Sequence, residues 1–94
     1  MRVLVVYDVS DDYKRARLAK TLQRYGLARI QRSAFTGELQ GARLRDLARS
    51  IRGLIDPETD VIHIVRVDEA EWRRAIVMGR PWGGGLHASA VLVY

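Results

Sequence analysis

The chain contains no cysteine, and only two prolines, two lysines and one phenylalanine occur among its 94 residues. Without cysteine it has neither a disulfide framework nor thiolate chemistry. No apolar run approaches the roughly 18 residues that a membrane span needs, and no signal-peptide pattern is present. The remaining composition, 48% hydrophobic and 29% charged, is typical of a globular domain. We therefore expect one cytoplasmic domain with no membrane partner.

Basic side chains are concentrated in the first half of the sequence. Residues 1–52 contain 12 Lys or Arg against 5 Asp or Glu, whereas residues 53–94 contain 4 against 6. The net charge of +5 therefore originates entirely in the first half. This asymmetry favours a polyanionic partner, with nucleic acid as the first candidate. The alternative is a solvated basic face that has no partner.

The first candidate site residue is Asp8, which ends a short apolar run. Val3 to Val6 are apolar without alternation, a pattern typical of a strand that is covered on both faces. Asp8 stands where this strand leaves the core, and a rigid strand can aim a carboxylate at a ligand there. The alternative is that Asp8 only accepts hydrogen bonds from the loop that follows. Asp11 and Asp12 fit helix caps better than ligands.

Periodicity and turn residues predict the remaining elements. In chain order these are a helix over 13–25, an extended segment over 28–39 that bulges or splits near Ser33, a helix over 40–52, a strand over 61–67, a turn over 68–71, an antiparallel return over 74–78, an irregular glycine-rich stretch over 79–85 and a final strand over 88–94. This βαββαβ order predicts an α+β ferredoxin-like sandwich with an added C-terminal strand.

The predicted sheet has one face that the chain itself cannot cover. In a ferredoxin-like sandwich both helices lie on one face, yet the first and fourth strands are apolar on both. A second copy packed sheet to sheet would cover the open face, and the glycine-rich stretch would let the last strand cross to the partner. We therefore expect a ferredoxin-like domain over 1–79 and an arm over 80–94 that completes a strand-exchanged homodimer.

The first forty residues also contain motifs that are weak singly and fairly specific together: Tyr7-Asp8-Val9-Ser10-Asp11-Asp12, Arg15 with Arg17, Gly26, Arg29-Ile30-Gln31 and Ser33-Ala34-Phe35. In this combination the chain resembles the Cas2 family of CRISPR-associated proteins. The resemblance implies a strand-exchanged homodimer with divalent-metal-dependent endonuclease activity on RNA or DNA. It also implies a role in spacer acquisition, in which Cas2 bridges the Cas1 integrase and holds DNA.

The resemblance assigns roles to particular residues. Asp8 matches the catalytic, metal-binding aspartate of the family. Four further positions match residues implicated in activity or nucleic-acid contact: Arg15, Arg17, Arg29 and Phe35. Arg32, at a position that varies in the family, joins the arginines as a candidate phosphate contact. Phe35 fits a core position better than a stacking platform, and Tyr7, Ser10 and Ser33 are expected to support the site.

A single aspartate holds Mg²⁺ poorly, because Mg²⁺ needs near-octahedral oxygen coordination. If two copies meet with their first strands together, two Asp8 carboxylates converge on Mg²⁺ or another divalent cation. Carbonyl oxygens near Val9 and Ser10 can complete the coordination. The metal would then activate a water and polarise a phosphate.

Other functions remain open at this stage. The chain is alternatively a non-catalytic scaffold that binds duplex DNA and the integrase, or a toxin-like ribonuclease of the same fold that acts alone on RNA. A small-molecule regulatory module is a further alternative, but the basic first half argues against it.

Overall fold

The sheet is built around β1 (Arg2–Asp8), which pairs antiparallel with a strand on each side. The computed structural model describes residues 1–82 and the backbone of residues 92–93. Within it, β1 pairs with β3 (Ala34–Glu38) and with β4 (Val61–Val67). β2 (Ala28–Gln31) extends the sheet beyond β3, so the strand order is β2-β3-β1-β4. Burial alternates along β1, because Val3, Val5 and Tyr7 face the core and Leu4 and Val6 face the other side of the sheet.

Two helices cover one face of this sheet and enclose the core. α1 (Asp12–Arg24) connects β1 to β2, and α2 (Gly41–Arg52) connects β3 to β4, so each crosses over one intervening strand. The core is formed by alternate residues of β1 and the apolar stripes of the helices: Val3, Val5, Tyr7, Leu18, Leu22, Leu44, Leu47 and Ile51. This architecture is the predicted α+β ferredoxin-like sandwich.

Local signals explain where α1 and α2 begin and end. The Asp11 side chain accepts a hydrogen bond from the Lys14 N–H at 2.8 Å, which caps α1 as predicted. Gly26 follows α1 with a φ of +85°, a conformation that glycine adopts without steric cost. α2 ends at Gly53, also as predicted.

The extended segment over 28–39 is divided into β2 and β3, as the failed alternation near Ser33 predicted. The two strands pair antiparallel through a turn at Arg32 and Ser33. The register shifts between Arg29 and Gln31, so a bulge also distorts β2. Gly37 of β3 is required by close packing, because an added Cβ would lie 2.6 Å from the Leu27 Cδ2 atom.

The predicted antiparallel return over 74–78 is wrong. Residues 69–73 form the short helix α3 (Glu69–Arg73), and the strand β5 (Ile76–Val77) pairs parallel with β6 (Leu92–Val93) rather than with β4. The Asp68 side chain accepts a hydrogen bond from the Ala70 N–H at 2.8 Å and so starts a helix where a turn was expected. Burial of Trp72 then fixes α3 against the domain.

Several predictions concern residues beyond those that the structure describes. The glycines at 83–85 lie outside the described residues, as does the strand over 88–94 apart from the backbone of β6. The crossing of this arm to a partner therefore stays a prediction. In the described part of the chain, no helix combines the length and the apolar character that crossing a membrane requires.

Candidate active site at the end of strand β1

Asp8 is the last residue of β1, and its side chain is exposed. Its register partner is Val61, the first residue of β4. The neighbouring side chain, Tyr7, points to the opposite face and is buried in the core. Within residues 1–82 the Asp8 carboxylate has neither an ion pair nor a hydrogen bond, although other carboxylates nearby do. The strand therefore presents a rigidly held, unpartnered carboxylate to solvent.

The loop after Asp8 is held by Arg15 of α1. The Arg15 Nη1 donates to the carbonyl oxygens of Val9 at 2.9 Å and Ser10 at 3.2 Å. Its Nη2 forms an ion pair with the Asp12 carboxylate. The carbonyl oxygens that the sequence suggested as metal ligands thus already accept hydrogen bonds from a cation. The Asp8 carboxylate, which precedes the loop, accepts no such hydrogen bond from residues 1–82.

Two buried aromatic residues support the end of β1 from the core side of the sheet. Tyr7 and Phe35 stack with ring centroids 6.3 Å apart, and both are buried. Phe35 is fully buried, which confirms its predicted core position and excludes a direct role in stacking on a base. The Tyr7 N–H donates to the Ser33 carbonyl oxygen at 3.0 Å, so Ser33 contributes through its backbone. These contacts fix the backbone that leads to Asp8.

Three of the four predicted arginines are brought together. Arg15, Arg29 and Arg32 line a shallow depression of about 220 Å³ between α1 and β2. Arg29 lies 4.9 Å above the ring of Phe35 and donates to the Arg32 carbonyl oxygen. Arg17 lies outside this depression and contacts the exposed ring of Tyr13 at 5.8 Å. The arginines therefore form a cluster of three with one outlier.

A single chain offers an incomplete site for a divalent cation. Among the described residues, no group of three or more His, Cys, Asp or Glu side chains could hold a metal ion. Mg²⁺ retains several waters and often binds through only one or two carboxylates. The exposed Asp8 carboxylate fits this requirement as one ligand.

No sequence pattern singles out Asp60, the residue that precedes β4. Its carboxylate accepts a hydrogen bond from the Asp56 N–H at 2.9 Å. This bond, with smaller contributions from the Thr59 hydroxyl, the Ser10 N–H and the charge of Lys14, lowers the pKa of Asp60 despite partial desolvation. The available signal was the antiparallel register, because Asp60 immediately precedes the partner of Asp8.

Comparison with known proteins gives the family of this chain. The model of the family described as CRISPR-associated protein Cas2 matches residues 1–75. A protein of Archaeoglobus fulgidus named CRISPR-associated endoribonuclease Cas2 1 is 45% identical over 75 residues, which are 80% of each chain. A Thermoproteus tenax protein named as a fusion of the endonucleases Cas1 and Cas2 is 42% identical over 69 residues, 73% of this chain and 26% of the fusion.

A solved structure extends the similarity from sequence to fold. The crystal structure of Streptococcus pyogenes Cas2 at pH 6.5 superimposes with a TM-score of 0.73 and 30% identity. The match covers 84% of this chain and 100% of that one. The chain thus matches one family over most of its sequence and also in its ferredoxin-like fold, in which Asp8 lies at the end of β1. The chain belongs to the CRISPR-associated Cas2 family.

Proposed function

We propose that this chain is a nuclease of CRISPR spacer acquisition that cleaves RNA phosphodiester bonds with a divalent cation bound between two Asp8 carboxylates. The observation that carries the proposal is the exposed, unpartnered Asp8 at the end of a central strand. The naming of relatives as endoribonucleases favours RNA as the first substrate to test. When bound, the cation supplies an activated water and polarises the phosphate. The chain itself supplies a fixed carboxylate and an adjacent arginine cluster.

The arginine cluster fits a role in holding the nucleic-acid backbone. Arg29 and Arg32 are exposed at the mouth of the depression, and Arg29 is pre-positioned by its contact with Phe35. Guanidinium groups bind phosphate through paired hydrogen bonds, and such contacts read the backbone rather than the base sequence. Arg17 lies farther along α1 and extends the basic surface. Binding should therefore weaken steeply with salt and depend little on sequence.

The second carboxylate requires a homodimer, and the open face of the sheet supports one. Leu4, Val6, Ile30 and Ala34 line a shallow apolar depression on the face opposite the helices. Val6 is 41% exposed in the single chain. Several side chains of the neighbouring strand β4 are also exposed. In the described part of the chain, one edge of β4 has no neighbouring strand, which invites pairing with another strand. A second copy would cover both and bring the two β1 ends together.

Measurement of molar mass in solution tests this dimer and its strand exchange. The full chain should have the mass of two copies, because the open face is too apolar to remain in water. A chain that ends at Trp82 should dimerise more weakly, because it lacks the arm proposed to pair with the partner. An unchanged dimer after truncation would rule out the exchange, and a full-length monomer would rule out the paired carboxylates.

Cleavage assays on Asp8→Asn test the catalytic proposal. Single-stranded RNA and duplex DNA are incubated with each protein in Mg²⁺ or in a chelator. We expect the variant to lose RNA cleavage by at least about 100-fold, since the charge stabilisation by a bound cation is worth several kcal/mol. Its melting temperature should stay within a few degrees of wild type, because Asp8 has no partner to lose.

Asp46→Asn is the matched control for this experiment. It removes the same charge from α2, where Asp46 forms only an exposed ion pair with Arg49. Cleavage by this variant should equal that of wild type. Equal cleavage by the Asp8→Asn variant would mean that the activity resides elsewhere or belongs to a contaminant.

A second candidate function is a non-catalytic scaffold that joins the Cas1 integrase to DNA. It is favoured by the relative in which Cas1 and Cas2 are one polypeptide. If wild type cuts neither substrate but binds duplex DNA in a salt-dependent manner, the scaffold replaces the nuclease. Binding of separately purified Cas1 would then define the partner.

A further inference from the structure

The loop between Asp8 and α1 is held by a side chain of α1. Arg15 donates to two consecutive carbonyl oxygens of this loop, those of Val9 and Ser10. Val9 itself is buried. The acceptors of the two peptide groups that follow Asp8 are thus fixed by one cation.

The contacts of Arg15 are hard to reconcile with a phosphate-binding role. Both protons of Nη1 are used by the loop, and Nη2 is paired with Asp12. A phosphate would have to compete with these bonds and with the Asp12 charge. Arg32 lines the same depression and has no ion pair among the described residues. The two arginines therefore differ in their availability to a polyanion, because the Arg15 guanidinium is already engaged and that of Arg32 has no ion pair in this part of the chain.

We propose that Arg15 is a positioning residue that locks the loop over 9–11 and thereby aims Asp8, and that it is not a phosphate ligand. The inference rests on the proposed function insofar as Asp8 is the reacting carboxylate. It revises the expectation, drawn from the resemblance, that Arg15 contacts nucleic acid. The phosphate contacts then fall to Arg29, Arg32 and Arg17.

The first test compares binding of an end-labelled single-stranded RNA at several salt concentrations, in the absence of divalent cations. A lost phosphate contact lowers the slope of log K against log salt by about 0.7. Arg32→Gln should show this decrease, whereas Arg15→Gln should retain the wild-type slope. A decrease in Arg15→Gln equal to that in Arg32→Gln would overturn the proposal.

The second test measures amide hydrogen exchange, which reports the loop without relying on catalysis. Arg15→Gln should accelerate exchange within residues 9–12 by at least about fivefold, because it removes the donor that holds the Val9 and Ser10 carbonyl oxygens. Exchange of the β1 amides at Val3 and Val5 should stay at the wild-type rate, which shows that the fold is intact. Unchanged exchange over 9–12 in Arg15→Gln would also overturn the proposal.

The kinetic signature separates positioning from substrate binding. Arg15→Lys keeps the positive charge but replaces the two-pronged donor with a single ammonium group. We expect kcat to fall at least about tenfold in Arg15→Lys with little change in KM, since misalignment of a catalytic group lowers the rate of the chemical step. Restoration of wild-type kcat by lysine would contradict the clamp. If wild type shows no cleavage at all, the proposed nuclease fails, and the salt slopes and exchange rates still decide the role of Arg15.

Discussion

The two ends of β1 carry charged side chains in opposite circumstances. At the first end, Arg2 lies 3.3 Å from the Glu69 carboxylate and 3.8 Å from that of Glu38, and its guanidinium is 4.8 Å from the Trp72 ring centroid. At the other end, Asp8 has no partner within residues 1–82. The two residues belong to one strand and face the same side of the sheet, yet one charge is fully engaged and the other is free.

The difference arises from what covers each end. α3 and the stacked pair of Trp72 and Trp82, with ring centroids 5.7 Å apart, lie over the Arg2 end. A partly buried charge is stabilised by partners, and Arg2 has two carboxylates and an aromatic ring. At the Asp8 end, no described residue forms an ion pair or a hydrogen bond with the carboxylate, so its charge is available to a ligand. One end of β1 thus contributes to stability, and the other presents the carboxylate on which the proposed function depends.

Among the substitutions that test the difference between the two ends of β1, Trp72→Ala is expected to have the largest effect. Trp72 is buried between Arg2 and Trp82, and removal of a buried Trp side chain typically costs about 3–5 kcal/mol. Urea unfolding should show a loss of that order. Cleavage per folded molecule should remain within about threefold of wild type, because nothing at the Asp8 end changes.

Tyr13→Ala provides the matched control for Trp72→Ala. Tyr13 is 68% exposed, so its removal should change the free energy of unfolding by no more than about 0.5 kcal/mol. If Trp72→Ala proves no more destabilising than this control, the aromatic cover over Arg2 does not stabilise the fold. A large loss of cleavage in folded Trp72→Ala would instead show that the two ends of β1 are coupled.

The parts of the fold that the sequence predicted are those with long, uninterrupted patterns. β1, β4 and the two long helices lie within a residue or two of their predicted limits, because each strand is a nearly continuous apolar run and each helix has a periodic apolar stripe. α3 was missed because five residues show too little of a period, and its start depends on a single cap, Asp68. The pairing of β5 with β6 joins residues far apart in sequence, which no local pattern encodes.

For the candidate site, the sequence indicated the position of Asp8 but not the contacts of its neighbours. A carboxylate that ends an apolar strand is visible in the pattern itself. The direction in which Arg15 points is not, because an arginine on that turn of α1 can reach either solvent or the preceding loop. Asp60 could only be found through the register of β1 with β4, which follows from folding of the whole sheet.

A smaller expected effect concerns carboxyl groups, because one carboxyl near each end of β1 has a lowered pKa. The Met1 ammonium, 2.9 Å away, lowers the pKa of Glu38, with a further contribution from Arg2. At the other end, hydrogen bonds led by the Asp56 N–H lower the pKa of Asp60. For both carboxyls the leading cause is a hydrogen bond, but the donor is a charged ammonium for Glu38 and a neutral backbone N–H for Asp60. Charge therefore contributes more at Glu38, and the two pKa values should respond differently to salt.

We therefore expect NMR titration in about 1 M salt, where the Debye length is about 3 Å, to move the pKa of Glu38 towards its ordinary value by more than it moves that of Asp60. Because both pKa values are lowered in the folded state, each group stabilises the fold above its ordinary pKa, and this contribution is lost as the pH falls through the lowered value. Acid unfolding should accordingly become less salt-sensitive when Glu38 is replaced by Gln. Equal salt shifts at Glu38 and Asp60 would mean that both carboxyls are held by charge, and the two ends of β1 would then differ in the partner of Asp8 alone.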